Sequence, residues 1–133
     1  IHHEFSGKVV TSSLDENYIG AEVGSNNTAE LTAFAEALRW CLKQGGEEEI
    51  VIKTDSQYAG NQATGKWKAK ANRELVAHVQ KLWKEVCELR KLSWEHVKAH
   101  SGHRWNERAD HLAIRAATND SPTSLSFWKP GQR

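Results

Sequence analysis

The sequence predicts an α/β fold in which helices flank a mixed sheet. Three observations indicate this class: short apolar runs of strand length, longer segments with apolar residues at helical spacing, and alternation of the two along the chain. The predicted order of elements is β-β-α-β-α-α-β-α. Because the chain has 133 residues, we expect one domain around one core over residues 1–119, followed by an irregular tail over residues 120–133.

The first half of the chain is predicted to contain two short strands, a long helix and a third strand. Residues 8–13 and 18–23 have strand-like composition on either side of a polar turn. The segment 25–44 repeats apolar residues at helical spacing, and a Gly-Gly pair follows it as a stop signal. The phrase EEEIVIKTD, residues 47–55, predicts a buried strand that ends on a carboxylate.

The second half is predicted to contain three helices and one strand. A short helix is expected over residues 56–65 and a long amphipathic helix over 73–90. The phrase LSWEHVK, residues 92–98, has the pattern of a strand. A last helix is expected over 107–117, with its core face formed by the apolar residues Ala109, Leu112, Ala113 and Ala116.

Composition restricts the classes of function. The net charge of +1 provides no global attraction to nucleic acid or membrane, so any basic site has to be local. No apolar run is long enough to span a bilayer and no signal peptide is visible, which predicts an intracellular protein, cytoplasmic or nuclear. Cys41 and Cys87 are expected to be free, mostly buried thiols, with a disulfide as the alternative. Because the chain begins at Ile1, it is expected to be a piece of something larger.

Three acidic residues lie where α/β folds place their sites. Glu30 falls in the first turn of the first predicted helix, Asp55 ends a strand, and Asp110 falls in the first turns of the last helix. Strand ends and helix starts on one side of a sheet form such sites. If the three carboxylates converge, their repulsion favours a bound divalent cation. Oxygen ligands without a thiolate favour Mg²⁺ or Mn²⁺ over zinc.

Each of these residues also has a purely structural interpretation. Glu30 with Asn27 fits a capping box, and Asp55 suits a turn or a helix N-cap. Asp110 can complement the helix dipole, and His100 fits a solvated loop. For each residue alone the structural interpretation is favoured, so the joint pattern has to decide.

The phrases SNNTAEL, TDSQY and VKAHSGHRWNERAD, in this order and at these separations, resemble the type 1 ribonuclease H family. The resemblance implies a five-stranded mixed sheet flanked by helices. It also implies cleavage of the RNA strand of an RNA/DNA hybrid with two Mg²⁺ or Mn²⁺ ions. By resemblance, Glu30, Asp55 and Asp110 are catalytic metal ligands, and His100 is a catalytic loop histidine that shuttles protons or helps the product leave.

The resemblance further implies which residues hold the nucleic acid. Asn26, Asn27 and Gln57 match positions that contact base edges and sugars in the minor groove of the hybrid. Amide side chains there can bond any sequence, and contacts to 2′-hydroxyls distinguish RNA from DNA. Ser25 and Asn106 match positions that hold a phosphate of the DNA strand.

A basic segment, GKWKAK, combines cations with an aromatic residue. Lys66 and Lys68 can grip a phosphate backbone while Trp67 stacks on sugars or bases. The alternative is a solvated loop in which Trp67 packs against the core. The segment is shorter than the basic protrusion of several family members, so a modest, salt-sensitive affinity is expected.

One part of the family pattern is not evident in this chain. The family carries a fourth carboxylate, an aspartate in the first and central strand within a phrase like TDGS, and no such phrase occurs here. The strand could come in trans from a separate peptide or a second copy, or the chain could be part of a longer polyprotein. Alternatively, residues 1–5 could form it, with Glu4 replacing the aspartate. A strand from outside this sequence is favoured, because Ser6-Gly7 leaves little room for the usual connection.

Two functions therefore compete at the level of sequence. The leading hypothesis is a metal-dependent endonuclease that acts on RNA/DNA hybrids. The alternative is a catalytically impaired hybrid-binding module that needs a missing strand supplied in trans. Resolvases and transposase-like nucleases are disfavoured by the SNNTAEL and HSGH phrases.

Overall fold

The computed structural model describes residues 3–99 and 102–131. They form two compact units, one over Val9–His96 and one that joins residues 3–8 to residues 97–99 and 102–131. The regular elements of the described residues are α1 (Asn26–Gln44), β1 (Ile50–Thr54), α2 (Gln57–Ala63), α3 (Arg73–Leu89), β2 (Leu92–His96) and α4 (Arg104–Ala117).

The core of the Val9–His96 unit lies between α1 and α3. Both helices follow the predicted apolar spacing, and the predicted segments 25–44 and 73–90 are confirmed to within a residue at each end. Full burial of one Leu or Val side chain stabilises the fold by about 1.5–3 kcal/mol. The buried apolar residues are Leu31, Phe34, Ala35, Leu38 and Cys41 on α1 and Leu75, Val76, Val79, Leu82 and Val86 on α3.

The two strands form a parallel pair that is covered on one face. Their register begins with Ile50 opposite Leu92. Ile52 and Trp94 pack on the core, whereas the side chain of Val51 points to the other face and is 37% exposed. The strand predicted before Asp55 is therefore confirmed, but its full burial is wrong because only one face of the sheet is packed.

Two predicted strands do not form. Residues 8–13 and 18–23 contain no regular strand, and the sheet of the described residues has two strands. The polar turn between them is present, with hydrogen bonds from the Asp15 N–H to the Ser12 carbonyl and from the Tyr18 N–H to the Asp15 carbonyl. A strand forms only when a neighbour receives its backbone hydrogen bonds, and no described segment does so for these residues.

Arg90 ties the start of both strands to the helices before them. Its guanidinium donates to the carbonyl oxygens of Glu48, at 2.8 Å, and Gly45, at 3.0 Å. The Ile50 N–H then donates to the Lys91 carbonyl at 2.9 Å, which opens the strand pair. Gly45 has φ of 66°, so the predicted glycine stop after α1 is confirmed. These contacts fix where β1 begins and therefore the position of Asp55, which follows its last residue.

In the second unit, α4 packs through two polar residues instead of its alanines. Arg108 and His111 are buried, while Ala109 and Ala113 are exposed. Leu112 and Ala116 are partly buried, so the predicted apolar face is wrong at its two exposed alanines. Arg108 can be buried because both carboxylate oxygens of Glu4 accept from its guanidinium, at 2.7 and 2.8 Å. The partner of this bidentate pair lies far from α4 in the sequence, so the apolar spacing within the helix could not predict it.

The tail over residues 120–131 is irregular, as predicted, yet it is packed against α4. The Thr123 N–H donates to Nε2 of His111 at 2.9 Å, and the Thr123 carbonyl accepts from Arg108 at 2.8 Å. Trp128 is 3% exposed, and the Arg108 guanidinium lies 5.4 Å from its ring centroid. Burial lowers the pKa of His111, which keeps the ring neutral so that it can accept the hydrogen bond.

Glu4 does not belong to a strand. Residues 3–5 are irregular, and the carboxylate of Glu4 is occupied by Arg108 at 2.7 Å. The interpretation of the N-terminal residues as the first strand of the sheet, with Glu4 as its functional acid, is therefore wrong for the residues that the structure describes.

The two cysteines, which were expected to be free and mostly buried, differ in their exposure. Cys41 and Cys87 are both free, and Cys41 is buried as expected. Cys87 is exposed, because it lies on the outer side of α3, so its predicted burial is wrong.

In the part of the chain that the structure describes, no helix is long and apolar enough to cross a membrane.

Candidate active site

Glu30 lies just beyond the first turn of α1 and has no capping role. The N-cap is Ser25, whose hydroxyl accepts from the Thr28 N–H at 3.2 Å, while the Thr28 hydroxyl accepts from the Ser25 N–H at 2.8 Å. This reciprocal pair is the capping box, so the predicted box between Asn27 and Glu30 is wrong. The half-buried Glu30 carboxylate is held one turn into a rigid helix.

Asp55 lies between the end of β1 and the start of α2. The N-cap of α2 is Ser56, whose hydroxyl accepts from the Ala59 N–H at 3.0 Å. The Ser56 N–H donates to the Thr54 hydroxyl at 3.1 Å, which fixes the turn after the strand. The capping interpretation of Asp55 is therefore wrong, and the half-buried carboxylate stands at the carboxyl end of the strand, as predicted.

Asp110 lies in the second turn of α4. The helix begins at Arg104 instead of residue 107, because Nδ1 of His103 accepts from the Asn106 N–H at 3.2 Å and caps the helix. The acid that complements the helix dipole in the first turn is Glu107. Asn106, which was predicted in a loop, is half-buried in the first turn of this helix.

The predicted metal ligands are distributed over both units. Glu30 and Asp55 belong to the Val9–His96 unit and Asp110 to the other, while His100 lies outside the described residues. Over residues 3–99 and 102–131, no group of three or more His, Cys, Asp or Glu side chains could hold a metal ion. Convergence of the three carboxylates therefore stays a prediction, although an all-oxygen donor set suits a hard cation.

The residues predicted to hold the hybrid are accessible in the Val9–His96 unit. Asn26, Asn27 and Gln57 are exposed at the starts of α1 and α2. Ser25 is exposed too, but its hydroxyl is already engaged in capping α1. Three amide side chains thus lie at the N-terminal ends of the two helices that carry, or follow, the candidate acids.

The basic segment forms a surface loop after α2. Lys66 and Lys68 are exposed and Trp67 is 43% exposed, so the interpretation of Trp67 as a core residue is wrong. The Trp67 N–H donates to the Asn61 carbonyl at 3.2 Å, which attaches the loop backbone to α2. The aromatic ring is therefore presented to solvent on a fixed backbone.

Sequence reasoning did not identify the residues that cap α1, α2 and α4. Ser25 with Thr28 reads S-x-x-T, and a threonine in the third helical position can replace the usual glutamate of a capping box. Ser56 follows Asp55 directly and is an equally good N-cap. Attention to these neighbouring hydroxyls would have assigned the caps. His103 carries no comparable signal, because histidine is not among the preferred N-caps.

Comparison with known proteins supports the likeness seen in the motifs. A sequence model of the family described as RNase H matches residues 6–118. The chain is 34% identical over 125 residues to a ribonuclease H of Tropheryma whipplei, covering 84% of this chain and 74% of that protein. It is 37% identical over 122 residues to a ribonuclease HI of Neisseria meningitidis, with 82% and 80% covered.

A solved structure agrees. RNase H1 from the halophilic archaeon Halobacterium salinarum superposes with a TM-score of 0.58 at 30% identity, covering 73% of this chain and 70% of that chain. The α/β arrangement of the described residues is therefore of the ribonuclease H type. The match of the family model over most of the sequence, together with these relatives, shows that the chain belongs to the ribonuclease H family.

Proposed function

We propose that this chain is an endonuclease that hydrolyses the RNA strand of RNA/DNA hybrids with the help of two divalent cations, Mg²⁺ or Mn²⁺. The observation that carries the proposal is the position of Glu30 one turn into α1 and of Asp55 at the carboxyl end of β1, in a chain of the ribonuclease H family. Ser25 and Ser56 cap α1 and α2, so helix capping does not account for these two acids.

The proposed chemistry assigns one role to each group. Glu30, Asp55 and Asp110 would hold the cations, which when bound supply an activated water and stabilise the leaving 3′ oxygen. Without a cation, carboxylates that converge would repel one another. His100 would carry a proton at the exit of the product, since an imidazole titrates near neutral pH.

Hybrid recognition would rest on the exposed amides of Asn26, Asn27 and Gln57. Their side chains both donate and accept, so they can bond base edges of any sequence and the sugars of the RNA strand. The proposed preference for a hybrid over duplex DNA follows from contacts to the 2′-hydroxyls.

Removal of divalent cations is expected to abolish cleavage. A labelled RNA/DNA hybrid incubated with the protein and Mg²⁺ or Mn²⁺ should lose its RNA strand, and excess EDTA should reduce the rate to background, because the water is then no longer activated. Adding the metal back should restore the rate. Undiminished cutting in EDTA, or equal cutting of duplex DNA, would contradict the proposal.

A second candidate is a hybrid-binding module with impaired catalysis. It is favoured by one observation, that no phrase carrying the family's fourth carboxylate occurs in the sequence. Binding of the uncut hybrid without cleavage in either metal would support this candidate over the nuclease.

The outer edge of β1 supports the proposal of an added strand. The Ile50 N–H faces β2, so alternation along the strand turns the N–H and C=O groups of Val51 and Lys53 to the opposite edge. Among the described residues, no hydrogen bond to these backbone groups is present. A two-stranded parallel sheet is marginal by itself. We propose that an extended segment from outside the described residues pairs with this edge.

A peptide with the family's first strand is expected to raise the cleavage rate when it is added in excess. It would complete the sheet at Val51 and Lys53 and supply the fourth carboxylate. The matched control is the same peptide with its aspartate replaced by asparagine, which should bind equally but stimulate far less. A peptide that neither binds nor stimulates would rule out this edge as its docking site.

A further inference from the structure

The tail after α4 doubles back along this helix, from its last turn towards its first. The Asp120 N–H donates to the Arg115 carbonyl at 2.8 Å, directly after the helix ends. Thr123 then bonds to His111 and Arg108, at 2.9 and 2.8 Å, which lie about one and two turns earlier in the helix than Arg115. The tail therefore follows α4 as a strap that is held at successive turns.

Trp128 anchors the far end of this strap at the first turns of the helix. Its side chain is 3% exposed. The guanidinium carbons of Arg104 and Arg108 lie 5.9 and 5.4 Å from its ring centroid, within the range of cation–π attraction. The ring of His111 lies 6.2 Å away between centroids. Burial of a large aromatic ring against the helix makes this the strongest apolar contact of the strap.

The strap lies outside the part of the sequence that the family model matches. That match ends at residue 118, and the three family-like phrases end at Asp110. Thr123 and Trp128 follow both limits, so neither the family pattern nor a motif assigns them a role.

The strap fixes the rotation of α4 about its own axis. The two buried residues of this helix are Arg108 and His111, and Thr123 bonds to both. Hydrogen bonds are directional, whereas the methyl groups of the helix alanines bury little area and fix no orientation. Because the helix turns about 100° per residue, holding Arg108 and His111 sets the direction in which Asp110 projects between them in sequence.

We propose that Thr123 and Trp128 are positioning residues for Asp110, the candidate metal ligand of α4. They act through Arg108 and His111 and contact neither the cation nor the hybrid. The inference rests on the proposed function in taking Asp110 as a metal ligand. Groups that orient a metal ligand typically change metal affinity about 10–100-fold when they are removed.

The first test is hydrogen exchange of Trp128→Ala, measured by mass spectrometry without metal or hybrid. We expect the amides of residues 104–117 to exchange about tenfold faster or more, because loss of a buried aromatic ring makes local opening of the helix easier. The amides of α1 and α3, which belong to the Val9–His96 unit, should keep their rates.

The second test is the Mn²⁺ dependence of hybrid cleavage, at a temperature where circular dichroism shows every variant to be folded. Trp128→Ala should raise the Mn²⁺ concentration for half-maximal cleavage about tenfold or more, and saturating Mn²⁺ should recover most of the rate. A purely structural loss would instead lower the rate at every Mn²⁺ concentration. Trp128→Phe keeps a ring beside the Arg108 guanidinium and should restore part of both properties.

The matched control is Phe127→Ala, which removes the neighbouring aromatic ring of the same tail. Phe127 is 79% exposed, so the exchange of α4 and the Mn²⁺ requirement should both stay unchanged. Unchanged exchange of α4 in Trp128→Ala would overturn the strap, and faster exchange with an unchanged Mn²⁺ requirement would overturn the positioning role.

Failure of the nuclease proposal is distinguishable from failure of this inference. If the unmodified chain cuts no hybrid in Mn²⁺, the nuclease proposal fails, and the binding of Mn²⁺ alone, followed by electron paramagnetic resonance, decides the role of the strap. Weaker Mn²⁺ binding by Trp128→Ala than by Phe127→Ala would support it. Equal binding by the two variants, or no binding by the unmodified chain, would overturn it.

Discussion

Asp55→Asn is expected to lower the rate of hybrid cleavage about a thousandfold or more. The substitution replaces a proposed metal ligand by a neutral amide of the same shape, and a bound metal contributes several kcal/mol to catalysis, each 1.4 kcal/mol being about tenfold in rate. Stability should change by less than about 1 kcal/mol, because asparagine keeps the size and shape of the side chain and the position is only half-buried. Asp110→Asn should have the same pair of effects. Single-turnover cleavage and urea unfolding measure the two quantities separately.

Asp15→Asn is the matched control for these variants. Asp15 lies in an exposed turn, where its Oδ1 accepts from the Asn17 N–H at 2.8 Å, and the amide oxygen of asparagine can accept the same bond. The control should cleave at the rate of the unmodified chain. Cleavage by Asp55→Asn within severalfold of Asp15→Asn would remove Asp55 from the metal site.

Gly60→Ala is expected to destabilise the Val9–His96 unit by more than about 3 kcal/mol, beyond the usual cost of overpacking a core. A Cβ at this position would overlap the Cε2, Cδ2 and Cε3 atoms of the Trp94 ring, which lies flat against the glycine. Unstrained carbon atoms approach only to about 3.5 Å. Helix propensity alone would favour alanine by about 1 kcal/mol, so the sign of the effect reports the clash.

Urea unfolding followed by tryptophan fluorescence measures this change. Gly24→Ala is the control, because a Cβ there meets no atom within 4 Å, and its stability should be nearly unchanged. Adding Trp94→Leu to Gly60→Ala should recover part of the loss, since contacting residues are not additive. A Gly60→Ala chain as stable as the unmodified one would mean that the Trp94 ring does not occupy this position.

The elements that sequence predicted well are those with local causes. α1 and α3 each bury a periodic apolar face, α1 ends at a glycine, and β1 and β2 are short apolar runs. Residues 8–13 and 18–23 have the same local character, but a strand depends on a partner that sequence pattern does not specify. These segments stay unpaired because no described segment lies beside them as a partner strand, and not because of their composition.

The candidate site was predictable in placement and ambiguous in role. The position of Asp55 at the end of a strand follows from the apolar run before it, whereas its release from capping depends on one hydrogen bond of Ser56. The packing of α4 was out of reach, since Arg108 is buried through Glu4, 104 positions earlier in the sequence. An ion pair between residues far apart in the sequence produces no periodic pattern from which it could be predicted.

The unequal burial of the two cysteines has a practical consequence for handling this protein. Cys87 offers a surface sulfur that oxidants and alkylating reagents reach in the folded chain, while Cys41 is 7% exposed. Desolvation raises the pKa of both thiols, so the difference between them lies in access. In air, two folded molecules can therefore become covalently joined through Cys87. Reaction at Cys41 instead reports that the space between α1 and α3 has opened.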